Sequence, residues 1–224
     1  MENFNLIKII ECLPSTQDYI INKVISREYV EGTVIIANKQ TAGKGRSGRS
    51  WVTIDGGLAF SVGFSIHGWI STIINTGITT HLCNAVCAVL ESFEISSYHK
   101  WPNDVYIDEY KVCGILIDIR EEMVIIGIGI NLIGSHDVYK SIWDLTKIKI
   151  DNNLFICNFL KIIKLDKIKN YTFMPSQVYY NNKEYELLKM EKDRIFLSDF
   201  NGNVIIMDPD KHQFIMSKRL FLEK

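Results

Sequence analysis

The sequence predicts an α+β protein, and three observations carry that prediction. Isoleucine- and valine-rich strand patterns interleave with helical ones as far as residue 132, a further helical run follows, and from residue 177 onward the pattern is all strand. In order, Ser15 or Thr16 caps a helix running to about residue 26, with Tyr19, Ile20, Val24 and Ile25 at helical spacing. Strands are expected over 33–39 and 58–66, then a longer helix over about 71–93. Strand candidates follow at 105–107, 112–119 and 123–132, with Asp108-Glu109-Tyr110 turning the first into the second and Arg120-Glu121-Glu122 the second into the third. An exposed edge strand at 112–119 or 123–132 could pair with a partner, a carrier or a second copy, and the sequence does not say which strand lies at the edge. This is a meander covered by helices. Residues 133–152 read as polar and irregular, and 153–163 as one helix. Short strands at 177–180, 184–190, 194–198 and 204–207, with turns at Asn181-Asn182 and Asn201-Gly202, suggest a small barrel. A unit of that size is expected to dock on the rest of the chain.

The most informative stretch is 40–51, Gln-Thr-Ala-Gly-Lys-Gly-Arg-Ser-Gly-Arg-Ser-Trp, where glycines alternate with cations and no acid intervenes. Glycines let a backbone approach a ligand and present its N–H groups, and Lys44, Arg46 and Arg49 add positive charge, so the loop is built for an anion. Gly43-x-Gly45-x-x-Gly48 also fits a dinucleotide-binding fingerprint. That fingerprint must open a helix, and here Trp51-Val52-Thr53, a Gly56-Gly57 turn and a strand pattern follow instead. Two further segments carry chemistry. In Lys100-Trp101-Pro102-Asn103-Asp104 the proline restrains Trp101, so that Asn103 and Asp104 are presented in a fixed direction. In residues 111–118, Lys111 stands at the mouth of an apolar strand, where a lysine is held by a partner or aimed into a cleft.

Composition bounds the remainder. With 25 Lys+Arg against 26 Asp+Glu the chain is almost neutral, which argues against a general nucleic-acid binder and makes the basic loop a local device. No segment reads as a signal peptide or a membrane span. Five scattered cysteines do not form a disulfide framework, and reduced thiols in a cytoplasmic setting are expected. Cys83 and Cys87, with His81 nearby, raise the question of a metal site. Their neighbours Leu82, Ala85, Val86, Val89 and Leu90 describe a buried helix face instead.

Four blocks in order, Ser15-Thr16, the loop ending at Trp51, Lys100 to Asp104 with the strand from Lys111, and Gly127-Ile128-Gly129-Ile130-Asn131, give the chain a close resemblance to the biotin protein ligases, also called biotin–acetyl-CoA-carboxylase ligases. The resemblance runs from about Ser15 to Asn131 and is weaker near the C-terminus. It implies a mixed β-sheet catalytic domain of the class II aminoacyl-tRNA-synthetase-like type over 1–172 and a small SH3-like β-barrel over 173–224. It implies ATP-dependent activation of biotin as biotinyl-5′-AMP, with Mg²⁺, and transfer of biotin to a lysine on the biotin carboxyl carrier domain of an acetyl-CoA or propionyl-CoA carboxylase. A monomer or homodimer is expected, with no nucleic-acid or membrane partner. By the same resemblance Ser15, Thr16 and Gln40 hold biotin's ureido ring, and Gly43, Lys44, Gly45 and Gly114 line the biotin side. Arg46 bridges the acyl phosphate and Lys111 sits on the carboxylate and α-phosphate. Arg49, Trp51, Asn103, Gly129 and Asn131 meet the nucleotide, while Asp104 stands either on the Mg²⁺ side or as acceptor for the incoming amine. Lys44 stands where many members carry arginine, and Ser47 and Ser50 where some carry further cations, so the phosphate grip is expected to be shared differently. About fourteen residues precede Ser15, too few for the helix-turn-helix of the ligase-repressors, and a ligase without operator binding is expected. Lipoate and octanoate transferases share the catalytic fold and remain the competing class.

Overall fold

The computed structural model describes residues 6–73, 77–134, 136–165, 168–169, 171–173, 177–191, 193–215 and 220–223. Its larger sheet has eight strands: β1 (Ile7–Leu13), β2 (Val34–Gln40), β3 (Leu58–Ser65), β4 (Tyr98–Lys100), β5 (Asp104–Ile107), β6 (Tyr110–Arg120), β7 (Met123–Ile130) and β8 (Thr172–Phe173). They lie side by side in the order β1-β2-β3-β7-β6-β5-β4-β8. β1 runs parallel to β2 and β4 parallel to β8, and the other pairs are antiparallel, so the sheet is mixed. Glu121 and Glu122 both take positive φ, as a two-residue type I′ turn between β6 and β7 requires. β6 and β7 are central strands, and the described edges are β1 and β8; the expectation of an edge at 112–119 or 123–132 is therefore corrected. Those two strands are apolar because they are covered on their faces, not because they await a partner.

Helix α1 (Thr16–Ile25) packs Ile20 and Val24 on one face of the sheet against Ile35 and Ile125. The other face carries the main core, where α3 (Ile78–Glu91) and α5 (Asn152–Ile162) cover Val124, Ile126, Ile128 and Ile130 of β7. The helix expected over 71–93 is divided into α2 (Ile70–Ile73) and α3. Gly77, at φ +104, is left-handed and cannot continue a right-handed helix. The stretch read as irregular holds α4 (Ile142–Thr146), fixed by a capping box in which Ser141 Oγ accepts from Asp144 N and the Asp144 carboxylate accepts from Ser141 N. Strands β1 and β4 are also additions to the sequence reading.

The second sheet comprises β9 (Gln177–Tyr180), β10 (Lys183–Glu191), β11 (Arg194–Ser198), β12 (Val204–Met207), β13 (His212–Ile215) and β14 (Leu220–Glu223), ordered β12-β11-β10-β9-β14-β13. Its core is completed from outside, because Trp101 of the β4–β5 turn is buried among Val178, Tyr185, Ile195, Leu197 and Met207. The Trp101 indole N–H donates to Asp193 O at 2.7 Å. The Asp193 carboxylate in turn accepts from Thr79 N at 3.2 Å, Thr80 N at 2.9 Å and Thr80 Oγ1 at 2.9 Å. The N-terminus of α3, whose own preceding residue is a glycine without a capping side chain, is thus capped from the second sheet.

Candidate active site

Register partners across four strands make the floor of the site. Ala37, Ala59, Gly129 and Gly114 stand in one row across β2, β3, β7 and β6, on the α1 side of the sheet. The Trp51 ring lies against the glycines of this row: a Cβ at Gly129 would come 2.2 Å from Trp51 Cε2, and one at Gly114 2.9 Å from Cζ3. The next row contains Ser61 and Gly127, and a Cβ at Gly127 would meet Gln17 Oε1 at 2.5 Å. Glycine is therefore required at these positions for space, where larger side chains would fill the trough. A cavity of about 110 Å³ lies over this floor, closed by α1 and by the loop after β2.

That loop folds back on itself. Trp51 N–H donates to Gly43 O at 2.8 Å, Gly45 N–H donates to Arg49 O at 2.7 Å, and a 3-10 turn (Arg46–Gly48) forms the tip. No α-helix follows the glycines, so the dinucleotide fingerprint is excluded, as its sequence context indicated. Gly43 permits the crossing, since a Cβ there would sit 2.4 Å from Trp51 O.

The inner end of the cavity is polar. Gln40 Oε1 accepts from Thr16 N at 2.8 Å, Thr16 Oγ1 lies 2.8 Å from Ser61 Oγ, and Ser61 Oγ donates to Gln17 Oε1 at 3.1 Å. Ser15 Oγ accepts from Asp18 N and caps α1, which leaves its proton for another acceptor. The outer end is cationic. Lys111 Nζ lies 2.6 Å from Asp104 Oδ1 and 5.4 Å from the centre of the Trp51 ring. This is a close ion pair but not an aligned hydrogen bond, because buried Asp104 Oδ1 has no directed donor. Arg46 pairs with Asp210 in the turn between β12 and β13, and Lys44 with Asp18 of α1, both at 2.7 Å. Asn103 Nδ2 donates to Ile115 O at 2.8 Å, tying the turn before Asp104 to β6.

Ser15, Thr16, Gln40, Lys44, Gly45, Arg46, Arg49, Trp51, Asn103, Asp104, Lys111, Gly114 and Gly129 all line the cavity. Two residues expected at the site do not. Gly43 lies behind the loop crossing, and Asn131 is buried with its Nδ2 donating to Lys140 O at 3.3 Å, where it anchors the segment leading to α4. Ser50, Ile115, Leu116, Gly127 and Ile128, from segments the sequence already marked, complete the lining together with Gln17 and Ser61, which were not singled out from sequence. Ser61 could have been found as a small polar residue interrupting an apolar strand. Gln17 carries no such signal. Among the described residues no group of His, Cys, Asp and Glu forms a metal site, and His81 Nε2 lies 2.9 Å from Ile163 O. Cys83 and Cys87 are buried, and burial raises both thiols, Cys87 to about 12.

The model of the biotin/lipoate A/B protein ligase family matches residues 9–131, more than half of the chain. The chain belongs to this family. Curated relatives include the biotin–[acetyl-CoA-carboxylase] ligase of Mycobacterium tuberculosis, 30% identical over 126 residues, covering 53% of this chain and 46% of that protein. The bifunctional ligase/repressor BirA of Bacillus subtilis is 35% identical over 136 residues, covering 54% and 39%. This family member therefore spans less than half the length of those relatives in the matched region. Among solved structures, the biotin protein ligase from Aquifex aeolicus in complex with biotin and ATP superposes with a TM-score of 0.73 at 24% identity, covering 92% of this chain and 97% of that one. A Helicobacter pylori biotin acetyl coenzyme A carboxylase synthetase gives 0.65 at 22% identity, covering 90% and 99%. These likenesses show the biotin-ligase fold, a helix-covered mixed sheet followed by a small SH3-like β unit.

Proposed function

We propose that this family member is a biotin–[acetyl-CoA-carboxylase] ligase, which activates biotin with ATP and transfers it to a lysine of a biotin carboxyl carrier domain. The observation that carries this reading is one cavity with a hydrogen-bonding inner end, at Thr16, Gln40 and Ser61, and a cationic outer end over an aromatic ring, at Lys111, Arg46 and Trp51. A cyclic urea suits the first and an acyl phosphate the second. The relatives named for biotin ligation agree with it.

A carboxylate is a poor acyl donor because oxide would have to leave. Its oxygen attacks the α-phosphorus of ATP, the bond to pyrophosphate breaks, and biotinyl-5′-AMP forms. Two anions must meet for this to happen, and Lys111, Arg46 and the N–H groups of the glycine loop lower that repulsion most where charge builds. The acceptor amine then attacks the acyl carbon, AMP departs, and the amine loses a proton. Mg²⁺ held with the ATP phosphates would screen their charge. Asp104, the acid among the described lining residues, is suited either to that cation or to the amine proton. Arg49 and Arg46 take the nucleotide phosphates and Trp51 the adenine. We further propose a catalytic unit over 1–172 and a docked unit over 173–224, with the carrier domain of an acetyl-CoA or propionyl-CoA carboxylase as acceptor.

The test is ligand-dependent pyrophosphate exchange with Mg²⁺-ATP. Exchange that requires biotin is expected. Exchange driven by lipoate and not biotin would move the chain to the other branch of its family, and binding of biotin without exchange would remove the enzymatic reading.

A further inference from the structure

Along the wall at the inner end of the cavity runs a chain of side chains that begins at partly buried Asp118 and ends at buried Thr16. Gln17 Nε2 donates to Asp118 Oδ2 at 3.0 Å and to Ile125 O at 3.1 Å. Both partners can only accept, so both amide protons are committed and the orientation of the amide is fixed, with Oε1 facing Ser61. Ser61 Oγ donates its single proton to that oxygen at 3.1 Å. It has none left for Thr16, 2.8 Å away, and must accept there. Thr16 Oγ1 has a second acceptor in the wall, Gln40 Oε1 at 3.2 Å, and in either arrangement its proton points into the protein. Only lone pairs of Thr16 then face a ligand. Gln40 is fixed in the opposite sense: its Oε1 takes the Thr16 N–H at 2.8 Å, Nε2 donates one proton to Thr53 Oγ1 at 3.3 Å, and the other remains for the cavity.

We infer that Asp118, acting through Gln17 and Ser61, is a positioning residue that sets the hydroxyl of Thr16 as an acceptor and so makes the inner end selective for a ring carrying N–H beside C=O. This deepens the proposed function and rests on it. A cyclic urea offers ring N–H groups for Thr16 and a carbonyl for the Gln40 amide, whereas a dithiolane offers neither. Without the relay Ser61 could turn its own proton to Thr16, leaving only the longer contact to Gln40 Oε1 to hold the Thr16 proton, and a buried hydroxyl that presented its proton to a ligand N–H would repel it. Asp118 suits the task because it is only partly buried: its other oxygen lies 3.4 Å from Arg120 Nη2 near solvent, and Oδ2 reaches the buried amide.

The experiment measures dissociation constants by calorimetry on the full chain, for biotin and for biotin methylated at the ring nitrogens, in wild type, Ser61→Ala, Gln17→Met, Asp118→Leu and Asp118→Asn. Wild type is expected to prefer biotin. In the first three variants biotin is expected to weaken about tenfold while the methylated analogue changes little, so the preference narrows. Asp118→Asn, which keeps an acceptor oxygen, is expected to retain the wild-type ratio. A structural role would weaken both ligands by one factor, and a constant ratio across folded variants overturns the inference. Asp118→Leu alters a partly exposed position, so it decides the matter even if a variant at a buried link fails to fold. Failure of wild type to bind biotin at all would instead overturn the proposed function.

Discussion

At the scale of single residues the site depends on what is small as much as on what is charged. Gly129→Ala would place a methyl group inside the Trp51 ring, and overpacking of that kind costs about 1–3 kcal/mol. The expected outcome is displacement of the indole, measured as greater quenching of tryptophan fluorescence by acrylamide, with a fall in denaturation free energy within that range. Lys111→Ala removes the cation nearest the proposed acyl phosphate and leaves Asp104 without its partner. A loss of roughly 3 kcal/mol in transition-state stabilisation, about 100-fold in biotin-dependent pyrophosphate exchange, is expected, and a wild-type rate would refute the assignment. The charged and glycine positions were legible in the sequence because lysine or arginine beside glycine has few structural uses. Gln17 was not, since one amide in an amphipathic helix looks like any other, and only the fold brings Asp118 beside it. Asn131 is a related case: its motif position is clear in the sequence, but its side chain donates to Lys140 O and is not among the lining residues, which only the fold reveals.

At the scale of elements, the strands and helices with strong periodicity were legible and those defined by partners were not. β1 is largely exposed at a sheet edge, and β4 has only three residues, so neither carries a burial pattern of its own. The break between α2 and α3 could not be read locally either, because the group that caps α3 lies more than a hundred residues away at Asp193. Asp193→Ala is expected to cost about 1–2 kcal/mol, the usual range for a lost N-cap, and to raise hydrogen exchange at the Thr79 and Thr80 amides. Unchanged protection at those amides would show that α3 holds its first turn unaided.

At the scale of the whole molecule, Trp101 joins the two sheets, and its role as a plug of the second sheet's core was hidden by the proline motif around it. Trp101→Ala is expected to lower stability by about 3–5 kcal/mol and to divide a single denaturation transition into two. His99 lies buried beside this joint, where burial pushes its imidazole down to about 4 from 6.5. Below pH 6.5 the unfolded chain binds a proton that the folded chain refuses, so the stability present above that pH is lost as pH falls towards 4, by roughly 3 kcal/mol at most. His99→Gln should flatten this part of a stability curve, and an unaltered slope would place the acid sensitivity elsewhere. The row of small residues has a consequence for how binding competence is acquired. Ala37 and Ala59 come from the first third of the chain and Gly114 and Gly129 from beyond its midpoint, and they meet only when β3 pairs with β7. Pairings so distant in sequence are slow to close. A nascent chain carrying the whole glycine and arginine loop would still have nowhere to seat a ligand, and any ligand that binds only the finished sheet would draw the folding equilibrium towards it.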